Sequence, residues 1–262
     1  MSMAIARREV APVPRMLGAQ LWSVVLGYIR NPMFTLFSMV LPVMFFCFFG
    51  LTNIHQHISS SVTVGAYILA SMSAYAMSNV LVYNIGINQA TQRARKLDVL
   101  QRATPLPGGV ALLASVIGGM ALAILALLPL MVVGAIGGVE MPVTHWLDLA
   151  AAVIVGSLPM LGLGMLIGYG ASPNVAPALA SLIYLPMAFA SGLFVPLTEM
   201  PSVIRDVAHY LPLYHLGQLS WNAVGYAQEP VWQALAWTAG WTLVLFLAAA
   251  RAYRLDQQRK FS

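Results

Sequence analysis

Charge is what this sequence has least of. Of its 262 residues, 8% are charged and 60% are hydrophobic, whereas a soluble domain carries about 25% charged residues. So few charges exclude a soluble core of this size and point to a polytopic membrane protein. Lysine is limited to Lys96, which follows Arg95, and Lys260, which follows Arg259. A phosphate-binding loop needs Gly-Lys followed by Ser or Thr, so the chain is expected to hold no nucleotide site of its own. The single cysteine, Cys47, lies inside an apolar run and cannot form an internal disulfide. The net charge of +5 sits in short clusters between apolar runs and not in a basic domain, so no nucleic-acid partner is expected. No secretory signal is expected either. The basic side chains Arg7, Arg8, Arg15 and Arg30 interrupt the first 32 residues, and Gly, Gln and Ser break their apolar stretches.

What is present is a series of long apolar runs. Residues 34–51, 65–87, 110–136, 147–170, 177–195 and 232–250 each suit one membrane span, giving an all-α integral membrane protein with six transmembrane helices. Residues 15–30, bracketed by Arg15 and Arg30, are too short and interrupted to cross. They suit an N-terminal helix lying in the interface, or a plain extension of the first span. Pro42, Pro129 and Pro186 should kink their helices. Asn79 and Asn84 lie inside the second span, where they read either as contacts between helices or as contacts to a substrate. Gly164 and Gly168 make a small-xxx-small face for close helix packing. Residues 196–230 hold two short helical patterns separated by Pro212, each of re-entrant or interfacial length. Around Pro212, His209, Tyr210, Tyr214 and His215 read as interfacial anchors or as part of an outer closure.

An even number of spans places both termini on one side. With that side cytoplasmic, 12 of the 13 basic residues are inside and Arg205 alone is outside, as the positive-inside bias requires. Five acids, Glu140, Asp148, Glu199, Asp206 and Glu229, then lie outside. No charged side chain falls within a span core. That argues against proton- or sodium-coupled carriers, which need intramembrane ion ligands, and suits a lipophilic cargo. His55 and His57 have no acid or cysteine beside them, so no metal site is expected. No nucleophile motif accompanies the scattered acids, so the chain reads as a non-enzyme.

Residues 88–108, NQATQRARKLDVLQRATPLPG, form a basic island between the second and third spans. Arg93, Arg95, Lys96 and Arg102 stand against one acid, Asp98. Leu97 and Leu100 fit one face of a short helix, which Thr104, Pro105, Pro107 and Gly108 stop. The run Arg102-Ala103-Thr104-Pro105-Leu106-Pro107 resembles the end of the cytoplasmic coupling helix of the ABC type-2 permeases. Ser191-Gly192-Leu193-Phe194-Val195-Pro196, followed by Met200-Pro201 and Leu211-Pro212-Leu213, resembles that family's signature around the fifth span and its hairpin. Arg30-Asn31-Pro32 is similar to its usual lead into the first span. The chain departs from the family just ahead of the coupling turn, where Arg93-Ala94-Arg95-Lys96 stands in place of a usual Glu and Gly-Thr.

The resemblance covers essentially the whole chain and implies the permease subunit of a bacterial ABC exporter, of the daunorubicin-resistance-like drug exporter type. It implies a multi-pass protein of the bacterial cytoplasmic membrane, with a cytoplasmic coupling helix and a short re-entrant hairpin between spans five and six. The implied partners are an ABC ATPase subunit in two copies, a second permease copy or paralogue, and membrane lipid. ATP and Mg would sit on the ATPase, with no cofactor on this chain. Arg93, Arg95, Lys96, Leu97, Asp98, Leu100, Arg102, Thr104 and Pro105 would couple to it. Ser191, Gly192, Leu193, Phe194, Pro196, Pro201 and Pro212 would form the outer gate and hairpin. A lipid-linked glycan in place of a drug, or a non-transport scaffold or sensor, remain as alternatives.

Overall fold

The computed structural model describes residues 12–29, 32–59, 62–95 and 108–259, and apart from one isolated bridge between His57 and Thr63 their regular structure is helical. Four helices are long and apolar enough to cross a bilayer: Val64–Ala94, Leu113–Ile136, Val143–Gly170 and Val231–Asp256. Two shorter apolar helices, Ser38–Asn53 and Ala176–Ala190, occupy the places of the first and fifth expected spans. The 15 residues of Ala176–Ala190 reach about 22 Å at 1.5 Å per residue, against a hydrocarbon core of about 30 Å.

Helix α1, Val13–Ile29, packs on α5. Helix α2, Pro32–Phe45, contains Pro42, which removes one backbone donor, and continues as a π turn at Phe46–Gly50 and a 3-10 turn at Leu51–Asn53. Helix α3, Val64–Val80, starts where Thr63 Oγ1 accepts the Ala66 N–H at 3.2 Å. A second π turn, Leu81–Ile85, joins it to α4, Gly86–Ala94, so that the three pieces form one rod. Helix α5 is Gly108–Ile136.

The fourth expected span starts earlier than 147 and is divided into α6, Val143–Gly156, and α7, Leu158–Gly170, at Ser157. Pro159 explains the division, since it has no N–H to return to the preceding turn and its ring crowds that turn's carbonyl. Helix α8 is Ala176–Ala190. After a 3-10 turn at Leu197–Glu199 come α9, Ser202–Ala208, and α10, Pro212–Ala223. Pro212 starts α10, where its missing N–H costs nothing. Helix α11, Val231–Arg259, runs past the expected end of the last span.

The core forms where α7 meets the α3–α4 rod on one side and α11 on the other. Glycine allows both contacts. A Cβ at Gly164 would fall on the Leu81 carbonyl oxygen and 3.2 Å from Val82 Cα. One at Gly168 would lie 2.7 Å from Gln89 Cβ, and one at Gly162 would lie 2.9 Å from Leu245 Cβ of α11. Between apolar helices in lipid, close approach of this kind supplies the van der Waals contact that holds the bundle. Helix α10 is buried from Pro212 to Trp221 among α3, α6 and α11. Its Trp221 donates Nε1–H to Ser71 Oγ at 2.8 Å and stacks on Tyr67 at 5.3 Å. Gly164→Ala should lower the unfolding midpoint in detergent by roughly 3–10 °C, as about 1–3 kcal/mol of overpacking would in a chain of this size. Gly240→Ala, whose Cβ would meet nothing within 4 Å, should leave it unchanged, and equal midpoints for the two variants would count against glycine-set packing.

Candidate functional site

At one end of the bundle the basic island leaves α4. Of its expected coupling residues, Arg93 and Arg95 are described; Lys96, Leu97, Asp98, Leu100, Arg102, Thr104 and Pro105 lie outside the described residues. Arg95 follows the last turn of α4 and is exposed. Arg93 instead turns into the bundle. One terminal nitrogen donates to the Gly168 carbonyl at 2.7 Å and the Ala171 carbonyl at 3.2 Å; the other pairs with Asp256 of α11. The two carbonyls belong to the C-terminal end of α7, where backbone dipoles favour a cation. The side chains are 19% and 9% exposed, so the pair is largely removed from water. Removing one partner from such a pair costs about 3–5 kcal/mol, because the other charge stays buried.

Helix α8 leads from that end to the other, where the expected gate residues divide into two groups. Ser191 Oγ donates to the Met187 carbonyl at 2.7 Å and ends α8. Gly192 takes φ of +81°, a conformation that favours glycine, and Leu193 is buried. Phe194 is half-buried, stacked on Phe189 at 4.7 Å and edge-on to Tyr75 at 4.8 Å and Phe45 at 5.5 Å. Ser191 to Phe194 thus sit where α8, α3 and α2 meet. Pro196 opens the 3-10 turn beyond them. Pro201 is exposed at the start of α9, while Pro212 is buried at the start of α10.

Between the two ends runs a hydroxyl and aromatic seam that sequence reading did not find. Tyr184 of α8 donates to the Tyr75 carbonyl at 3.0 Å and lies 2.9 Å from Ser78 Oγ. Tyr83 donates to Ser181 Oγ at 3.1 Å. These bonds, each worth about 0.6–1.7 kcal/mol in a membrane, do the joining for which Asn79 and Asn84 were candidates. Asn79 instead bonds Tyr75 Oη on its own helix at 3.2 Å, and Asn84 Nδ2 is buried without a hydrogen-bond partner among the described residues. The available signal was spacing: Ser71, Tyr75 and Ser78 recur at i, i+4 and i+7, one helical stripe.

The hairpin carries its own polar cluster. Glu229, just ahead of α11, accepts Tyr214 Oη–H at 2.6 Å and lies 3.2 Å from His209 Nδ1. Asn222 donates to the Glu229 carbonyl at 3.2 Å. His215 Nε2 lies 2.9 Å from the His209 carbonyl, so that nitrogen carries the proton. Its ring stacks on Trp237 at 5.1 Å. Burial pushes the His215 imidazole below its ordinary value, and burial together with the Glu229 hydrogen bond pushes the Tyr214 phenol up. Of the four aromatics expected to anchor at the interface, Tyr210 is 63% exposed; Tyr214 and His215 are buried and fasten α10 internally. Among the described residues no cluster of three His, Cys, Asp or Glu side chains forms.

Two comparisons bear on this arrangement. A family model described as "ABC-2 type transporter" matches residues 16–221, which include the α4 end, the seam and the hairpin as far as Trp221. A curated protein of Bacillus subtilis (strain 168), "Putative transport permease YvfS", is 26% identical over 232 residues, covering 88% of this chain and 93% of its own length. A multi-pass helical bundle with a basic segment between two spans, matched over most of its length, makes the chain a member of the ABC-2 type transporter family, a membrane transport permease.

Proposed function

We propose that the chain is the permease subunit of an ATP-driven exporter that moves a lipophilic small molecule out across the bacterial cytoplasmic membrane. The observation that carries this reading is the 31-residue rod Val64–Ala94, which crosses the bundle and leads straight into the basic island. A partner pressing on that island would act on a continuous helix. With no phosphate-binding loop in the sequence, ATP and Mg belong on a separate ABC ATPase, two copies per complex, with a second permease copy or paralogue completing the path. Both termini and the island face the cytoplasm, α9 and α10 form a re-entrant hairpin at the outer side, and Phe194 closes the outer end.

A lipophilic cargo is favoured by the surfaces of the π turn that continues α2 and of α8. Phe48, Phe49, Leu182 and Phe189 are exposed there, and the sequences of both helices carry no charge. The seam beside them favours a second reading, a lipid-linked glycan, since Phe45, Tyr75, Tyr83, Phe189 and Phe194 gather where a sugar would stack. The lipophile stands first because the hydroxyls of Tyr83 and Tyr184 are already engaged with Ser181, Ser78 and the Tyr75 backbone and are not free to bond a sugar.

Purified through a tag on this chain, the complex with the ATPase candidate encoded beside it should elute with two ATPase copies per two permeases. Reversing the charge of Arg95, Lys96 and Arg102 should weaken that association at least about tenfold, or roughly 1.4 kcal/mol. Unchanged association would remove those residues from the docking surface, and a chain eluting without ATPase would favour a scaffold. Phe194→Ala should raise basal ATP turnover or leak by about 2- to 10-fold, the effect of losing about 0.5–1.5 kcal/mol of aromatic pairing from the closed state. Unchanged turnover and efflux would sink the closing role.

A further inference from the structure

We infer that Arg93 is not a docking residue but a positioning residue, which makes the α3–α4 rod, α7 and α11 move as one body when the island is pushed. This inference rests on the export reading above and assigns a part within it. Arg93 is the last-turn basic residue of α4, two positions from exposed Arg95. Its guanidinium fork reaches three acceptors on two other helices: the Gly168 and Ala171 carbonyls of α7 and the Asp256 carboxylate of α11. A rigid planar fork suits several fixed acceptors at once, which a lysine ammonium on a flexible stem does not.

The rest of the three-helix unit is already close-packed. Gly164 and Gly168 seat α7 on the rod, and Gly162 seats it on α11. Helices in such contact slide or tilt relative to one another only by breaking packing along their length. The glycine contacts resist approach and separation but offer nothing directional at the end where force arrives. The Arg93 fork closes that end. A displacement of the island is thereby delivered to α7 and α11 together, and through α11 to the hairpin, where the Tyr214–Glu229 hydrogen bond and the stacking of His215 on Trp237 of α11 tie α10 to the far end of the same helix. Arg93 therefore connects the driven end to the outer side without touching either partner or cargo.

The test uses the full chain with Cys47→Ser and spin labels at Ala94→Cys and Arg254→Cys, exposed positions beside the fork. The distance distribution should be single and narrow. Arg93→Gln and Asp256→Asn should each widen it at least about twofold, with Arg93→Lys between. In the ATPase complex, Arg93→Gln and Asp256→Asn should keep wild-type ATPase stoichiometry. A label at Arg254→Cys alone, reporting between permease copies, should shift on ADP–vanadate trapping in the wild-type background and by less than half as much in these variants. If Arg93→Gln fails to fold, Asp256→Asn and Arg93→Lys carry the same readings. Loss of ATPase binding by Arg93→Gln but not by Asp256→Asn would make Arg93 a docking contact and overturn the inference. So would narrow distributions and a full nucleotide-driven shift in every variant. An ATPase that never binds the wild-type chain would end the export reading and the transmission role with it, while the 94–254 distribution would still decide whether the fork locks the three helices.

Discussion

Helix α7 makes its closest approaches to its neighbours at glycine, and the rest of the bundle depends on this. Lipid tails are as apolar as leucine, so helices in a membrane gain little from hiding hydrophobic surface from one another. What remains is contact at short range and hydrogen bonding between polar groups. Gly162, Gly164 and Gly168 supply the first by letting backbone meet backbone on two sides of one helix. Ser71, Ser78, Tyr83, Tyr184 and Trp221 supply the second. Neither contribution appears in a hydropathy profile, although together they decide which helices are neighbours.

This division explains how much was legible in the sequence. Run length and the uneven placement of arginine depend on single segments, so the helical architecture and the basic island between two spans were readable directly. So was the small-xxx-small face at Gly164 and Gly168. Which polar group bonds which was not readable, because an asparagine and a tyrosine in an apolar run carry no label for their partner. Asn79 turns back on its own helix, and the joining falls to hydroxyls. The interruption at Ser157 was masked by an apolar run that continues through it, although Pro159 was there to signal it. Arg93 looked like its basic neighbours because its acid, Asp256, stands 163 positions away.

The two ends of the bundle solve one problem in different ways. At the island end a single arginine gathers carbonyls and a carboxylate from two helices. At the hairpin end a carboxylate, Glu229, gathers donors from Tyr214 and His209. In each case one charged group fixes the ends of short or terminating helices, where backbone groups lack helical partners and packing alone is weakest. Between them α10 is enclosed rather than laid on the surface, so the stretch that reads as amphipathic in sequence uses its polar side for internal fastening.

The π turn at Leu81–Ile85 has a consequence for angle. Tyr75 and Arg93 are 18 residues apart, and an unbroken α-helix at about 100° per residue would turn through about five full revolutions and set them on one face. A π turn accommodates about one extra residue, which swings everything after it about 100° round the axis. Tyr75 can therefore look toward α8 while Arg93 looks toward α7 from the same rod. The irregular turn works as a coupling between two compass bearings, and the rod can serve the seam at one height and the fork at another.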